Sequence, residues 1–252
     1  MAEDKCIYVL AAGSLRPVWP SLMAAFKTQS PATKIVAAFG PAGLLRERIE
    51  QGETCDLFAS ANLAHPQRLL LLRKALGVTI FTHNKLCLTL PAALAQRDWL
   101  SLLADPALRI GTSTPLSDPS GDYTWQLFDR IEKHHQGLGE DLKRRALKLV
   151  GGADSLPVPP GELAATWLLK TGEADIFIGY QSHAPLTAAR ADFVTLPVPS
   201  PYQVRANYAF ALCHSAAQPL GAFLCSAEAR EIFLEAGFSH DKAVSGLTDD
   251  EL

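Results

Sequence analysis

The stretch IYVLAAGSLRP, residues 7–17, carries most of an apolar run (6–12) that stops abruptly at Gly13-Ser14. A continuous run, rather than an alternating one, predicts a strand buried on both faces, as in a parallel sheet covered by helices. Just beyond it, Trp19, Leu22, Met23 and Phe26 fall at i, i+3, i+4 and i+7, which places them on one face of a helix. The pattern then repeats. A second strand is expected over 34–39, broken by Gly40-Pro41-Ala42-Gly43, with a helix over 44–51 that ends at Gly52. A third short strand over 56–60 leads into a leucine-rich helix over 65–75. Three strand–helix repeats in a row predict a parallel sheet with helices on both faces.

Beyond Gly77 the order is less regular. Strands are expected over 85–90, 108–110, 175–180, 193–198 and 207–212. Helices are expected over 99–104, 122–133, 139–150, 163–171, 217–225 and 228–236. The segments GTSTPLSDPSGDY (111–123) and GGADSLPVPPGE (151–162) read as loops of small polar residues, Gly and Pro. The tail 239–252 is polar. The best partition is two α/β lobes, with a crossover near 78–85 and a return near 182–195. The first lobe is then discontinuous, 1–82 plus 186–252, and the second comprises 83–185.

Composition narrows the function classes. The 252 residues are 48% hydrophobic and 19% charged, enough for a full core. The net charge is -3 with Lys and Arg scattered, so the basic footprint of a nucleic-acid binder is absent. No stretch approaches the roughly 20 apolar residues of a membrane span. The sequence from Met1 to Lys5 shows no secretory signal, which fits either a cytosolic protein or a mature form with a new start methionine. Five widely spaced cysteines, Cys6, Cys55, Cys87, Cys213 and Cys225, form no zinc pattern. At least one must stay unpaired within the chain.

Three junctions share one design, in which a strand ends, small residues turn and a helix begins: AAGSL (11–15), FGPAGLL (39–45) and DPSGDYTW (118–125). Helix starts present unpaired N–H groups and a positive dipole end, and in open α/β sheets ligands lie beyond the carboxyl ends of the strands. Capping is the competing reading of each junction. Ser14 lacks the G-x-S-x-G context of a nucleophile elbow. Asp118 and Asp122 read as a turn aspartate and an acidic first helical turn. No phosphate-cradling or dinucleotide glycine pattern occurs.

Taken together, IYVLAAGSL, AFGPAGLLRERIEQGETCDLFASAN, GEADIFIGY and SAEAREIFLEAGF resemble the molybdate-binding proteins of ABC importers over about residues 6–238. The resemblance implies a periplasmic-binding-protein fold of type II: two lobes, each a mostly parallel sheet flanked by helices, closing about a hinge over a tetrahedral oxyanion. It also implies a periplasmic or extracytoplasmic location and delivery of the ligand to a permease. By position, Ser14, with Gly13 before it, matches the first-loop serine. Tyr180 matches the tyrosine that donates from the second lobe, and Ser120 the position that supplies an amide. Three features depart from the pattern. Ala42, in Gly-Pro-Ala-Gly, stands where a serine is usual, leaving amides of Ala42 and Gly43. Glu162 stands where an apolar residue contributes its amide, and the loops 111–123 and 151–162 differ from better-known members. A hydrogen bond to a charged group contributes about 1.5–3 kcal/mol, so the missing hydroxyl at Ala42 weakens oxyanion binding. Glu162 must point outward if the ligand is an oxyanion, because two like charges 4 Å apart repel by about 4 kcal/mol at an effective ε near 20.

The leading expectation is therefore a monomeric, non-enzymatic solute receptor without a cofactor, binding molybdate or tungstate for an ABC permease and not binding nucleic acid. The alternatives are a same-fold receptor for an organic acid or other small metabolite, and a cytosolic sensor or hydrolase on this scaffold.

Overall fold

The computed structural model describes residues 5–240. In chain order the strands and helices run β1 (Lys5–Ala12), α1 (Trp19–Gln29), β2 (Thr33–Gly40), α2 (Ala42–Glu50), β3 (Leu57–Ser60), α3 (Ala64–Leu71) and β4 (Gly77–Pro91). Then come α4 (Trp99–Ala104), β5 (Ile110–Ser113), α5 (Pro119–His134), α6 (Leu138–Arg145), β6 (Leu147–Val150), α7 (Ala164–Lys170) and β7 (Ile176–Tyr180). The chain continues through α8 (Ala184–Ala188), β8 (Phe193–Pro197), β9 (Arg205–Leu212), α9 (Gln218–Leu224) and α10 (Ala227–Glu235).

The first lobe is built on β2-β1-β3-β9-β4. Strand β1 pairs in parallel with both β2 and β3, and β9 runs antiparallel between β3 and the first part of β4. Ile7, Val9, Leu10, Ala11 and Ala12 are all almost fully buried, as the unbroken run requires; Tyr8 is the exception, exposing 46% of its surface. The second lobe is built on β8-β4-β7-β5-β6, where β5 is parallel to β6 and β7, and β4 is antiparallel to β7 and β8. Strand β4 belongs to both lobes. Residues 77–85 pair with β9, and 86–91 pair with β7 and β8.

The two-lobe periplasmic-binding-protein architecture is thus present, with three corrections of detail. Each sheet is mixed rather than mostly parallel, because the strands that carry the chain between lobes run against their neighbours. Strand β8 lies in the second sheet, whereas 186–252 was expected in the first lobe; the return runs between Pro197 and Arg205. Last, the helix expected over 139–150 ends at Arg145, and 147–150 is strand β6. Residues 241–252 of the polar tail lie outside the described residues.

Capping follows local chemistry. Asp118 accepts a hydrogen bond from the Ser120 amide (3.1 Å) and Pro119 opens α5, where a missing N–H costs nothing. Gly121 is required there: a Cβ would lie 2.5 Å from the Pro115 nitrogen.

Candidate functional site

The carboxyl ends of the parallel strands of both lobes face one another. From the first lobe come Gly13-Ser14 after β1, Ala42-Gly43 after β2 and Ala61 after β3. From the second come the segment 114–118 after β5 and Tyr180 at the end of β7. Hydrogen bonds among the described residues bridge the lobes. The Gly43 amide donates to the Ser117 carbonyl (2.9 Å), the Tyr123 hydroxyl donates to the Ala61 carbonyl (3.1 Å), and the Asn207 amide donates to the Tyr123 oxygen (3.2 Å).

At the centre, the Ser14 Oγ and Tyr208 Oη are 2.8 Å apart. Asn84 donates from Nδ2 to the Ser182 Oγ (2.8 Å) and to the Tyr208 Oη (3.4 Å), and its Oδ1 accepts from the Ser182 amide (3.2 Å). The Tyr180 and Tyr208 rings meet edge to face with centroids 5.7 Å apart. The Tyr180 hydroxyl is buried and meets no partner at hydrogen-bonding distance and angle among the described residues, although it and the Tyr208 hydroxyl are close enough to perturb each other, and the His183 Nε2 is likewise unpartnered. Burial raises the pKa of Tyr180 and of Tyr208, and pushes that of Tyr123 up to about 12. The three phenols therefore remain protonated donors at neutral pH. Burial lowers the pKa of His183, which holds its imidazole neutral. Hydroxyls, an amide side chain and a neutral imidazole thus line one spot between the sheets.

A carboxylate lies close by. Burial raises the pKa of Asp118 to about 6, against the Ser120 amide and Ser113 hydroxyl, which favour its charged form. Its charge in turn raises the pKa of Tyr180.

The expected residues therefore divide. Ser14 and Tyr180 come together, linked through Tyr208. Ala42 is buried at the first turn of α2. The Gly43 amide is donated to Ser117 and the Ser120 amide to Asp118, although each was expected to face a ligand. Gly13 is exposed and its carbonyl accepts from the Arg16 amide. Glu162 is paired with Arg190 at 2.6 Å, and that partner lowers its pKa. Sequence reading missed Tyr208, Asn84, Ser182, His183 and Tyr123; the β4–β9 register and the turn after β7 bring the first four to the site, and the first turns of α5 bring Tyr123.

A family model for bacterial extracellular solute-binding proteins matches residues 7–239. The chain belongs to that family. Among relatives of this solute-binding protein, an uncharacterized protein of Pasteurella multocida strain Pm70 is 43% identical over 234 residues, 91% of this chain and 97% of its own. The molybdate-binding protein ModA of Mycobacterium tuberculosis H37Rv is 26% identical over 247 residues, 93% of this chain and 85% of its own. The solved sulfate-binding protein SubI of the same organism shares the fold. Its TM-score is 0.76 at 19% identity, covering 95% of this chain and 88% of that one. The resemblance to molybdate-binding proteins carried by the sequence motifs thus extends over most of this solute-binding protein. No helix among its described residues is long and apolar enough to cross a membrane.

Proposed function

We propose that this solute-binding protein captures a small tetrahedral oxyanion, molybdate or tungstate first, between its lobes and passes it to the permease of an ABC importer. The observation that carries the reading is the buried Tyr180 hydroxyl without a partner, beside the Ser14–Tyr208 pair where the two sheets meet. An unsatisfied buried hydroxyl costs roughly 1–3 kcal/mol. An anion accepting from it removes that cost and gains a charge-assisted hydrogen bond. In this mechanism the first lobe offers Ser14 and the amides at Ala42 and Gly43, and rotation about the β4 and β9 crossings brings Tyr180 down from the second. The close backbone approach of Gly43 to Leu116 and Ser117 persists in the closed form, with the Gly43 amide shared between the Ser117 carbonyl and the anion. Calorimetric titration with molybdate, tungstate, sulfate and phosphate tests this. Saturable heat with at least one is expected, and no heat with any would sink the oxyanion assignment.

A small organic acid or other metabolite is the second reading. Ala42, which supplies no hydroxyl, and the Asp118 carboxylate near Tyr180 favour it. A thermal-shift screen over metabolites and oxyanions separates the two, because a ligand raises the melting temperature by mass action.

A further inference from the structure

At the other end of the first sheet from Ser14, where β3 begins and β9 ends, a cavity of about 440 Å³ is lined in part by Cys55, Asp56, Arg73, Lys74, Cys213 and His214. Leu57 faces Leu212 in the antiparallel β3–β9 ladder, and just beyond it the Asp56 carbonyl accepts from both the Cys213 amide (2.9 Å) and the His214 amide (3.1 Å). That double acceptance holds the two chain segments together, and the Cys55 and Cys213 thiols lie close enough to perturb each other, while the Cys213 Sγ donates to the Ala211 carbonyl (3.8 Å). Both thiols are free in the structure. The remaining cysteines have no such match. Cys6 lies two residues from Tyr8 on β1, Cys87 is buried on β4 in the second lobe, and Cys225 is exposed beyond α9.

We propose that Cys55 and Cys213 are a disulfide-forming pair, oxidised by exchange with a small-molecule or protein disulfide that reaches them through this cavity. The chemistry is asymmetric. The interaction between the two thiols raises the pKa of Cys55 and lowers that of Cys213, so Cys213 is the first to reach the thiolate form. The Cys213 thiolate attacks one sulfur of the incoming disulfide, forming a mixed disulfide and expelling the other sulfur as a thiolate. Cys55 then loses its proton and attacks the Cys213 Sγ, releasing the second thiolate of the oxidant. Two electrons and two protons pass to the oxidant, and one sulfur–sulfur bond forms. The bond closes a loop that contains the whole second lobe, so by the chain-entropy account it constrains the unfolded chain strongly. An oxidising extracytoplasmic compartment supplies the conditions in which such a bond persists.

The test uses the whole chain with its five cysteines. After equilibration with oxidised glutathione and denaturation, the count of alkylatable thiols should fall by two. A non-reducing peptide map should join the peptide containing Cys55 to that containing Cys213. The melting temperature should rise by about 5–10 °C, reversibly with dithiothreitol. Because the pair lies far along the strands from Ser14, ligand affinity should not change. The Cys225→Ser variant should behave identically. Five alkylatable thiols, a cross-link through Cys6, Cys87 or Cys225, or a stable glutathione adduct on Cys213 would each overturn the pairing.

Discussion

The Gly43 amide, at the start of α2, donates to the Ser117 carbonyl, ahead of α5, across 2.9 Å of the cleft between the lobes. The contact leaves no room for a side chain on the glycine. A Cβ there would lie 2.4 Å from the Leu116 oxygen and 2.7 Å from the Ser117 oxygen, both backbone atoms that cannot swing aside.

Gly43→Ala should therefore hold the lobes apart while leaving each one folded. Overpacking of this kind costs about 1–3 kcal/mol, or roughly 5- to 150-fold in affinity if it falls on the closed form. Circular dichroism should be unchanged, small-angle scattering should report a more open average shape, and titration should show the loss. Wild-type affinity with an unchanged scattering profile would show that closure does not use this contact.

Tyr180→Phe separates binding from stability. The hydroxyl has no partner to lose, so the ligand-free protein should melt at the same temperature or slightly higher. Oxyanion affinity should fall roughly tenfold or more, since a hydrogen bond to a charged acceptor contributes about 1.5–3 kcal/mol. A variant that loses stability but binds normally would assign the hydroxyl to the core.

Ser14 and Tyr180 were legible in the sequence because each lies at or just past a strand end within a motif, AAGSL and GEADIFIGY, that carries the family resemblance. Tyr208 and Asn84 were not. Each lies in the middle of a strand rather than at its end, and what brings them together is register: Thr82 faces Tyr208 and Asn84 faces Ala206 across β4 and β9, more than a hundred residues apart in sequence. One signal was available. Thr82-His83-Asn84 interrupts an apolar run, and a buried Asn in a strand needs partners. The βαβ layers of the first lobe were readable from periodicity alone. Strand β6 was not, because its four residues follow α6 with only Ala146 between them and prolong the same apolar spacing. The sharing of β4 between lobes also escaped notice, since a strand that changes partners midway looks like any other long strand.

Asp118 gives the site a pH dependence whose sign can be fixed. Burial raises its pKa in the folded protein to about 6, above the ordinary aspartate value of about 3.9. The folded state thus holds this proton more tightly than the unfolded chain. Its contribution to stability is fully present below about pH 4 and is lost as pH rises through about 6. Oxyanion affinity should move in the same direction, because a neutral carboxyl near Tyr180 does not repel an anion. Titration with sulfate at pH 5.5 and 7.5 should show tighter binding at the lower value. Asp118→Asn, which keeps a good helix cap, should flatten that difference. An equal slope in the variant would place the titrating group elsewhere.

Glu162 should prove silent. Its carboxylate is held by Arg190 at 2.6 Å, with about a third of each side chain exposed to solvent. An ion pair this exposed contributes on the order of 0–1 kcal/mol. Were the carboxylate aimed at a bound dianion, its removal would raise affinity by orders of magnitude, because like charges at contact distance repel by several kcal/mol. Facing Arg190, it does neither. Glu162→Gln should change the melting temperature by no more than a few degrees and leave oxyanion affinity within about twofold, as measured by thermal unfolding and titration. A large gain in affinity would mean that this carboxylate turns into the cleft when the lobes close on a ligand. The ligand would then be one that wild-type Glu162 tolerates, cationic or neutral rather than a dianion.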